Sequence, residues 1–302
     1  VKVVGGVLLA GLVLCASPRS AAAQAAPDEQ RSTGYYVGHS GAILALLGAA
    51  FAANTWFKPH KAGCDFSWFP GDCSLRGNCS PLAARVSDVT LGVTVVDPVV
   101  ASAVQGFDWR LVNRGVVYAE TLAVNLAVNT IVKVSVARPR PYTHLPQCAA
   151  DQGDPYVSFY SGHSSTAFSA ALTGSYLFSE SIPARGWRYT LWGSEFFLAA
   201  VTANLRLRAG KHYYSDVLLG AVVGMGFGIG TLLLHGANYR PEGGEYALAI
   251  GGVGLGTVVA QVLPFPSSAL PGATASAGLD SLTLLPWSLG NEAVGVQALG
   301  TF

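Results

Sequence analysis

Six long apolar stretches, separated by polar connections, restrict this chain to a helical architecture before any motif is considered. They run from Val37 to Phe57, Val86 to Phe107, Gly115 to Val136, Ser164 to Ser179, Tyr189 to Leu205 and Tyr213 to His235. Their length and their Ala, Leu and Gly content favour helices over strands. Asp97-Pro98 falls inside the second stretch, where a kink or break is expected. The pattern predicts an all-α bundle of about six core helices over residues 31–236.

Two packings fit such a bundle. Several stretches approach the ~20 apolar residues that a bilayer requires, so six membrane spans are one reading. A buried helical core in a soluble periplasmic protein is the other. Of the 302 residues, 51% are hydrophobic and 12% charged, and the mean hydropathy is +0.40. A typical soluble domain carries about twice that share of charge. Asp88, Asp97, Glu120, Asn125, Asn129 and Glu195 lie within the apolar stretches. In lipid, such groups must face the bundle interior.

Arg110 and Arg114 fall in the second connection, and Arg185 and Arg188 in the fourth. Positive residues mark cytoplasmic loops, which would turn the other connections outward. The formal net charge of +1 shows no clustered basic excess of the kind nucleic acid requires.

The first 26 residues predict an export signal. Lys2 supplies a positive start, Val3 to Ala16 an apolar run, and Ser20 to Ala26 small-residue cleavage choices. The competing reading is an uncleaved anchor. A cleaved signal would leave the chain outside, and six spans from there would turn the third and fifth connections inward, against the arginine pattern. Of five cysteines, Cys15 would leave with the signal. Cys64, Cys73, Cys79 and Cys148 then favour two disulfides in an oxidising compartment, with three pairings open.

Residues 237–302 differ in character and are expected to form a short tail without chemistry. Ala247 to Leu263 is apolar and glycine-dense, and reads either as a strand pair or as a further helix. Its Gly252, Gly254 and Gly256 lack the spacing of a dinucleotide loop and read as packing glycines. Ser281 to Leu285 and Ala293 to Phe302 resemble two short strands.

Three clusters carry the chemistry, each at a boundary between helix and loop. Lys133 to Pro141 closes the third stretch and contains Arg138-Pro139 and Arg140-Pro141. Phe159-Tyr160-Ser161-Gly162-His163 opens the fourth. Arg206 to Asp216 leads from the fifth to the sixth and contains Lys211 and His212. Taken singly, each has a bland explanation. A lone histidine at a helix start is usually a surface residue, Arg-Pro a helix stop, and Ser-Gly-His an N-cap.

Together they supply what phosphoryl transfer through histidine needs. Arginine forks grip phosphate oxygens, and a helix N-terminus adds N–H donors. One imidazole attacks, and the other gives a proton to the leaving oxygen. His212 and Asp216 share a helical face at a spacing of four, so the carboxylate is expected to hold the imidazole tautomer.

The three clusters resemble the signature of the phosphatidic acid phosphatase type 2 and vanadium haloperoxidase superfamily, K-x6-R-P, P-S-G-H and S-R-x5-H-x3-D. Lys133 with Arg140-Pro141 has the first spacing, and Arg138-Pro139 falls two residues short. Ser161-Gly162-His163 matches the second, and Arg206, His212 and Asp216 the third. Tyr160 stands where the family has proline, and Leu205 where it has serine.

The resemblance implies a phosphoric monoester hydrolase with His212 as nucleophile, Asp216 as its partner and His163 as general acid. Lys133, Arg140, Arg206, Ser161 and Gly162 would bind the phosphate. No metal or other cofactor is implied for this activity; vanadate would be one only for a haloperoxidase, the less favoured reading. The expected substrate is a phosphorylated small molecule or lipid. The expected location is a bacterial cell envelope, in the inner membrane with a periplasm-facing site or in the soluble periplasm. The third class, a membrane protein keeping a relic site, is disfavoured because every charged candidate is present.

Overall fold

The computed structural model describes residues 31–56, 69, 71–144, 155–265, 283–289 and 293–299. The expected export signal, most of the cysteine-rich connection and the linker after residue 265 lie outside these residues. Seven α-helices are described: α1 Thr33–Trp56, α2 Pro81–Ala103, α3 Trp109–Val136, α4 Gly162–Ser179, α5 Arg185–Arg208, α6 Tyr214–Leu234 and α7 Gly243–Val262. Short 3-10 turns lie at Asp72–Gly77 and Pro141–His144, and Thr283–Leu289 pairs antiparallel with Ala293–Leu299.

Helix boundaries follow local chemistry. Ser80 caps α2 by accepting from the Ala83 N–H at 3.3 Å, and Pro81 takes the first turn, where no N–H is needed. Asp108 caps α3 through the Leu111 N–H at 2.9 Å. α3 stops at Ala137, whose φ of 52° is left-handed. A side chain there costs roughly 1–2 kcal/mol, and the turn sends Arg138 and Arg140 off the helix axis. The break expected at Pro98 does not occur. α2 continues through it, and the proline ring lies against Gly174 of α4, where a Cβ would come within 2.7 Å.

α4 is the central helix, packed by α2, α3, α5 and α6. Ser164, Ser165, Ser169, Thr173, Ser175 and Ser179 on it are fully buried. Small residues let neighbouring backbones come close. From α6, Gly220, Gly224 and Gly228 face it, and a Cβ on Gly224 would overlap the Ser165 carbonyl. The glycine-dense segment after residue 243 is a helix. α7 packs along α5, where Gly252 and Gly256 lie against the carbonyls of Gly193 and Phe197. Trp192, Phe196 and Phe168 fill the space between α4 and α5.

The outer faces are apolar instead of charged. Val89, Val93, Val96 and Val100 of α2 are exposed, as are Leu218, Val222 and Ile229 of α6 and Ile250, Leu255 and Val262 of α7. α1, α2, α3, α6 and α7 contain stretches long and apolar enough to cross a membrane. A bundle that buries its polar groups and exposes apolar side chains suits a lipid surround.

One end of the bundle gathers the connections that follow α1, α3 and α5, where Asp72 meets both Arg138 and Ser215. The other end carries Arg114, paired with Glu180 at 2.5 Å, and Arg188, paired with Glu242 at 2.6 Å and Glu245 at 3.1 Å. Cys79, buried against Tyr142, is disulfide-bonded. The side chains of Cys64, Cys73 and Cys148 lie outside the described residues.

Candidate active site

The first cluster divides its cations between two tasks. Lys133 sits in the last turn of α3, with Nζ 3.0 Å from the point that a Cβ on Gly162 would occupy. The second motif's glycine therefore makes room for the first motif's lysine. Arg138 is buried and turned away. Its Nη2 lies 2.9 Å from Asp72 and its Nη1 2.5 Å from Asp216, with the guanidinium over the Tyr213 ring. Arg140 reaches the loop of the third cluster, where its Nη1 donates to the Lys211 carbonyl at 3.2 Å.

The second cluster forms the start of α4. Ser161 Oγ caps the helix by accepting from the Ser164 N–H at 3.3 Å, and its own N–H donates to the Asp216 carbonyl at 3.0 Å. Gly162 is the first helical residue, adjoining Asn129, whose Nδ2 donates to the Tyr160 carbonyl at 2.9 Å. His163 follows, its Nε2 2.6 Å from Asp88 Oδ1.

The third cluster holds His212 in a buried turn ahead of α6. Its Nδ1 is 2.7 Å from the Ser158 carbonyl. A carbonyl only accepts, so Nδ1 carries the proton and Nε2 keeps its lone pair. The expected bond from Asp216 is absent. Its Oδ2 stands 3.8 Å from Nδ1, beyond hydrogen-bond reach. Asp216 instead accepts from Ser158 Oγ at 2.6 Å, the Tyr213 N–H at 2.9 Å and Arg138. Ser158 thus joins the two, its carbonyl serving His212 and its hydroxyl Asp216.

Burial, reinforced by the positive charges of Arg140, Arg206 and Lys133, pushes the His212 imidazole well below its ordinary pKa. The same influences of burial, Arg140 and Arg206 lower Lys211 to about 8. His212 is consequently neutral at neutral pH. Arg206, at the end of α5, donates from Nη1 to Ser87 Oγ at 3.0 Å and meets Asp88 Oδ1 at 3.2 Å. Its buried Nε has no hydrogen-bond partner among the described residues.

A cavity of about 410 Å³ opens beside this site. Lys133, Gly162 and His163 line one part, and Leu91, Leu122 and Leu126 another. The arrangement can hold an anion among three cations and a helix N-terminus, with a nucleophilic nitrogen and a second imidazole at hand.

Sequence reasoning missed Ser158, Asp72 and the role of Asp88. Asp88 stood out only as an acid in an apolar stretch, and its partner His163 is 75 residues away. Nothing in the chain's local pattern marks Ser158.

No solved structure matches the chain. The family model described as the PAP2 superfamily matches residues 114–240, a stretch that spans Lys133, both imidazoles and Arg206. Over residues 114–240 the chain is similar to the PAP2 superfamily, and this likeness points to phosphatase-type activity.

Proposed function

We propose that this protein is a membrane phosphatase that hydrolyses lipid phosphates or pyrophosphates through a phosphohistidine. The observation that carries the reading is the cavity in which Lys133 and His163 adjoin Leu91, Leu122 and Leu126. A charged head and an apolar chain on one molecule would fill both parts. A soluble phosphomonoester would leave the leucine part wet.

Lys133, Arg140, Arg206 and the first N–H groups of α4 bind the phosphate and neutralise charge growing on its equatorial oxygens. His212 Nε2 attacks phosphorus, and the bond to the leaving oxygen breaks as His163 gives that oxygen its proton. Water then attacks the phosphohistidine, with His163 taking a proton from it. Phosphate leaves, and both imidazoles return to their first state. The charge is handled by side chains, so turnover needs no metal. Vanadate, which copies the five-coordinate geometry, inhibits.

The end bearing Arg110, Arg114, Arg185 and Arg188 faces the cytoplasm by the positive-inside rule. The catalytic end then faces outward, into an oxidising compartment that suits the disulfide at Cys79. Thr33, at the arginine end, lies on the inner side.

The test compares turnover of phosphatidate and a polyprenyl pyrophosphate in mixed micelles with that of p-nitrophenyl phosphate. Leu122→Asp raises KM for the lipids and leaves the small substrate unchanged. Equal effects on both would remove the lipid reading.

A further inference from the structure

At the end of the bundle away from the catalytic loops, three side chains from separate segments converge. His39 belongs to α1, Glu120 to α3, and His235 follows the last turn of α6. Glu120 Oε2 lies 2.7 Å from His39 Nδ1 and 3.0 Å from His235 Nε2. One ligand atom from each lies within 4.8 Å of the others. The two rings stand 5.2 Å apart, and the three side chains are 18%, 9% and 20% exposed. The cluster is enclosed without being sealed.

We propose that His39, Glu120 and His235 bind a divalent transition metal, with zinc the best fit. Two imidazoles and one carboxylate, with a fourth position left to water, form a donor set that zinc favours. Calcium and magnesium prefer sites made wholly of oxygen. Tetrahedral zinc with bonds of about 2.0–2.1 Å places its ligands about 3.3 Å apart. The 2.7 and 3.0 Å contacts open by a few tenths of an ångström to admit the ion. Both rings bind as neutral imidazoles, each with its proton on the nitrogen facing away. The ion also neutralises a carboxylate that is expensive within an apolar helix.

The role of the ion is mechanical. α1 packs against α3, with Tyr36 Oη donating to Asn113 Oδ1 at 2.7 Å near the same end. A metal ties this outer helix to the end of α6 as well. Glu120 and Lys133 are thirteen residues apart on one helix, or about 20 Å at 1.5 Å per residue, so the ion takes no part in phosphoryl transfer.

Untagged full-length protein in detergent, stripped with EDTA and dialysed against zinc, tests this by elemental analysis and thermal unfolding. One zinc per chain is retained, and the unfolding midpoint rises with zinc concentration. The His39→Ala/His235→Ala double variant retains none, and its midpoint ignores zinc. Stripped wild type keeps its low-temperature turnover, which separates this site from the catalytic one. If the double variant does not fold, Glu120→Gln and the zinc-edge X-ray absorption of wild type decide. Scattering from two imidazoles is expected. No retained zinc, equal retention by a folded variant, or a spectrum without imidazole would overturn the proposal.

Discussion

His212 donates a hydrogen bond from Nδ1 to the backbone carbonyl of Ser158, 2.7 Å away, and so presents Nε2 as a free lone pair. A carbonyl fixes the tautomer without adding a charge beside the ring. Asp216, 3.8 Å from the same nitrogen, reaches this pair through the Ser158 hydroxyl and is itself held by Arg138. Ordering of the His212 ring is therefore shared between a backbone group and a buried ionic network.

That network separates the two Arg-Pro pairs. Arg138 is held between Asp72 and Asp216, so Arg138→Ala leaves two buried carboxylates unpaired. Breaking a buried pair costs about 3–5 kcal/mol. Arg138→Ala is expected to lower the unfolding midpoint sharply. Arg140→Ala is expected to keep the midpoint and raise KM. Thermal unfolding beside steady-state kinetics checks both.

Asp88 touches both His163 and Arg206. Burial and the Arg206 charge push the His163 imidazole down to about 3 in the free protein, and Asp88 opposes them, so Asp88→Asn makes His163 lose its proton at still lower pH. The alkaline limb of the kcat profile is expected to move toward acid. His163→Ala is expected to slow substrates with poor leaving groups by roughly 10²–10⁴-fold and p-nitrophenyl phosphate far less. A pH series with both substrates measures each effect.

The buried, neutral His212 sets a pH dependence of stability. Its folded pKa lies below the ordinary value of about 6.5, so the unfolded chain takes up the proton first. Stability therefore falls as pH drops below about 6.5 and stops falling at the folded pKa. Above 6.5 the group contributes no slope. Unfolding midpoints from pH 8 to pH 4 are expected to show a steeper loss in wild type than in His212→Ala.

The glycine contacts between α6 and α4 predict a contrast. Gly224→Val would drive a side chain into the Ser165 carbonyl, whereas nothing lies within 4 Å of a Cβ on Gly226. Overpacking costs typically about 1–3 kcal/mol, while Gly226→Ala gains helix propensity. Unfolding midpoints in detergent are expected to fall for the first and to hold or rise for the second.

The helical framework was legible because six apolar stretches of sufficient length leave few alternatives. α7 was not, since a run such as Gly252 to Gly256 suits a strand as well as a helix. Its contact with the α5 backbone decides. Pro98 reads as a breaker until Gly174 is seen to accommodate its ring. Motif spacing separated Arg140 from Arg138, but the left-handed Ala137 and the distant Asp72 explain why they diverge. Ser158, Asp88 and the His39–Glu120–His235 cluster depend on contacts across 54 to 115 residues. No local pattern encodes such contacts.

The central claim is that phosphorus is passed to the Nε2 of His212. Rapid quench of the enzyme with ³²P-labelled lipid phosphate in alkaline denaturant, followed by peptide mapping at high pH, decides it. A base-stable, acid-labile label is expected on the peptide containing His212 and is absent from His212→Ala. Turnover in wild type with no labelled intermediate under conditions where dephosphorylation is the slow step, or a label on another residue, would contradict it.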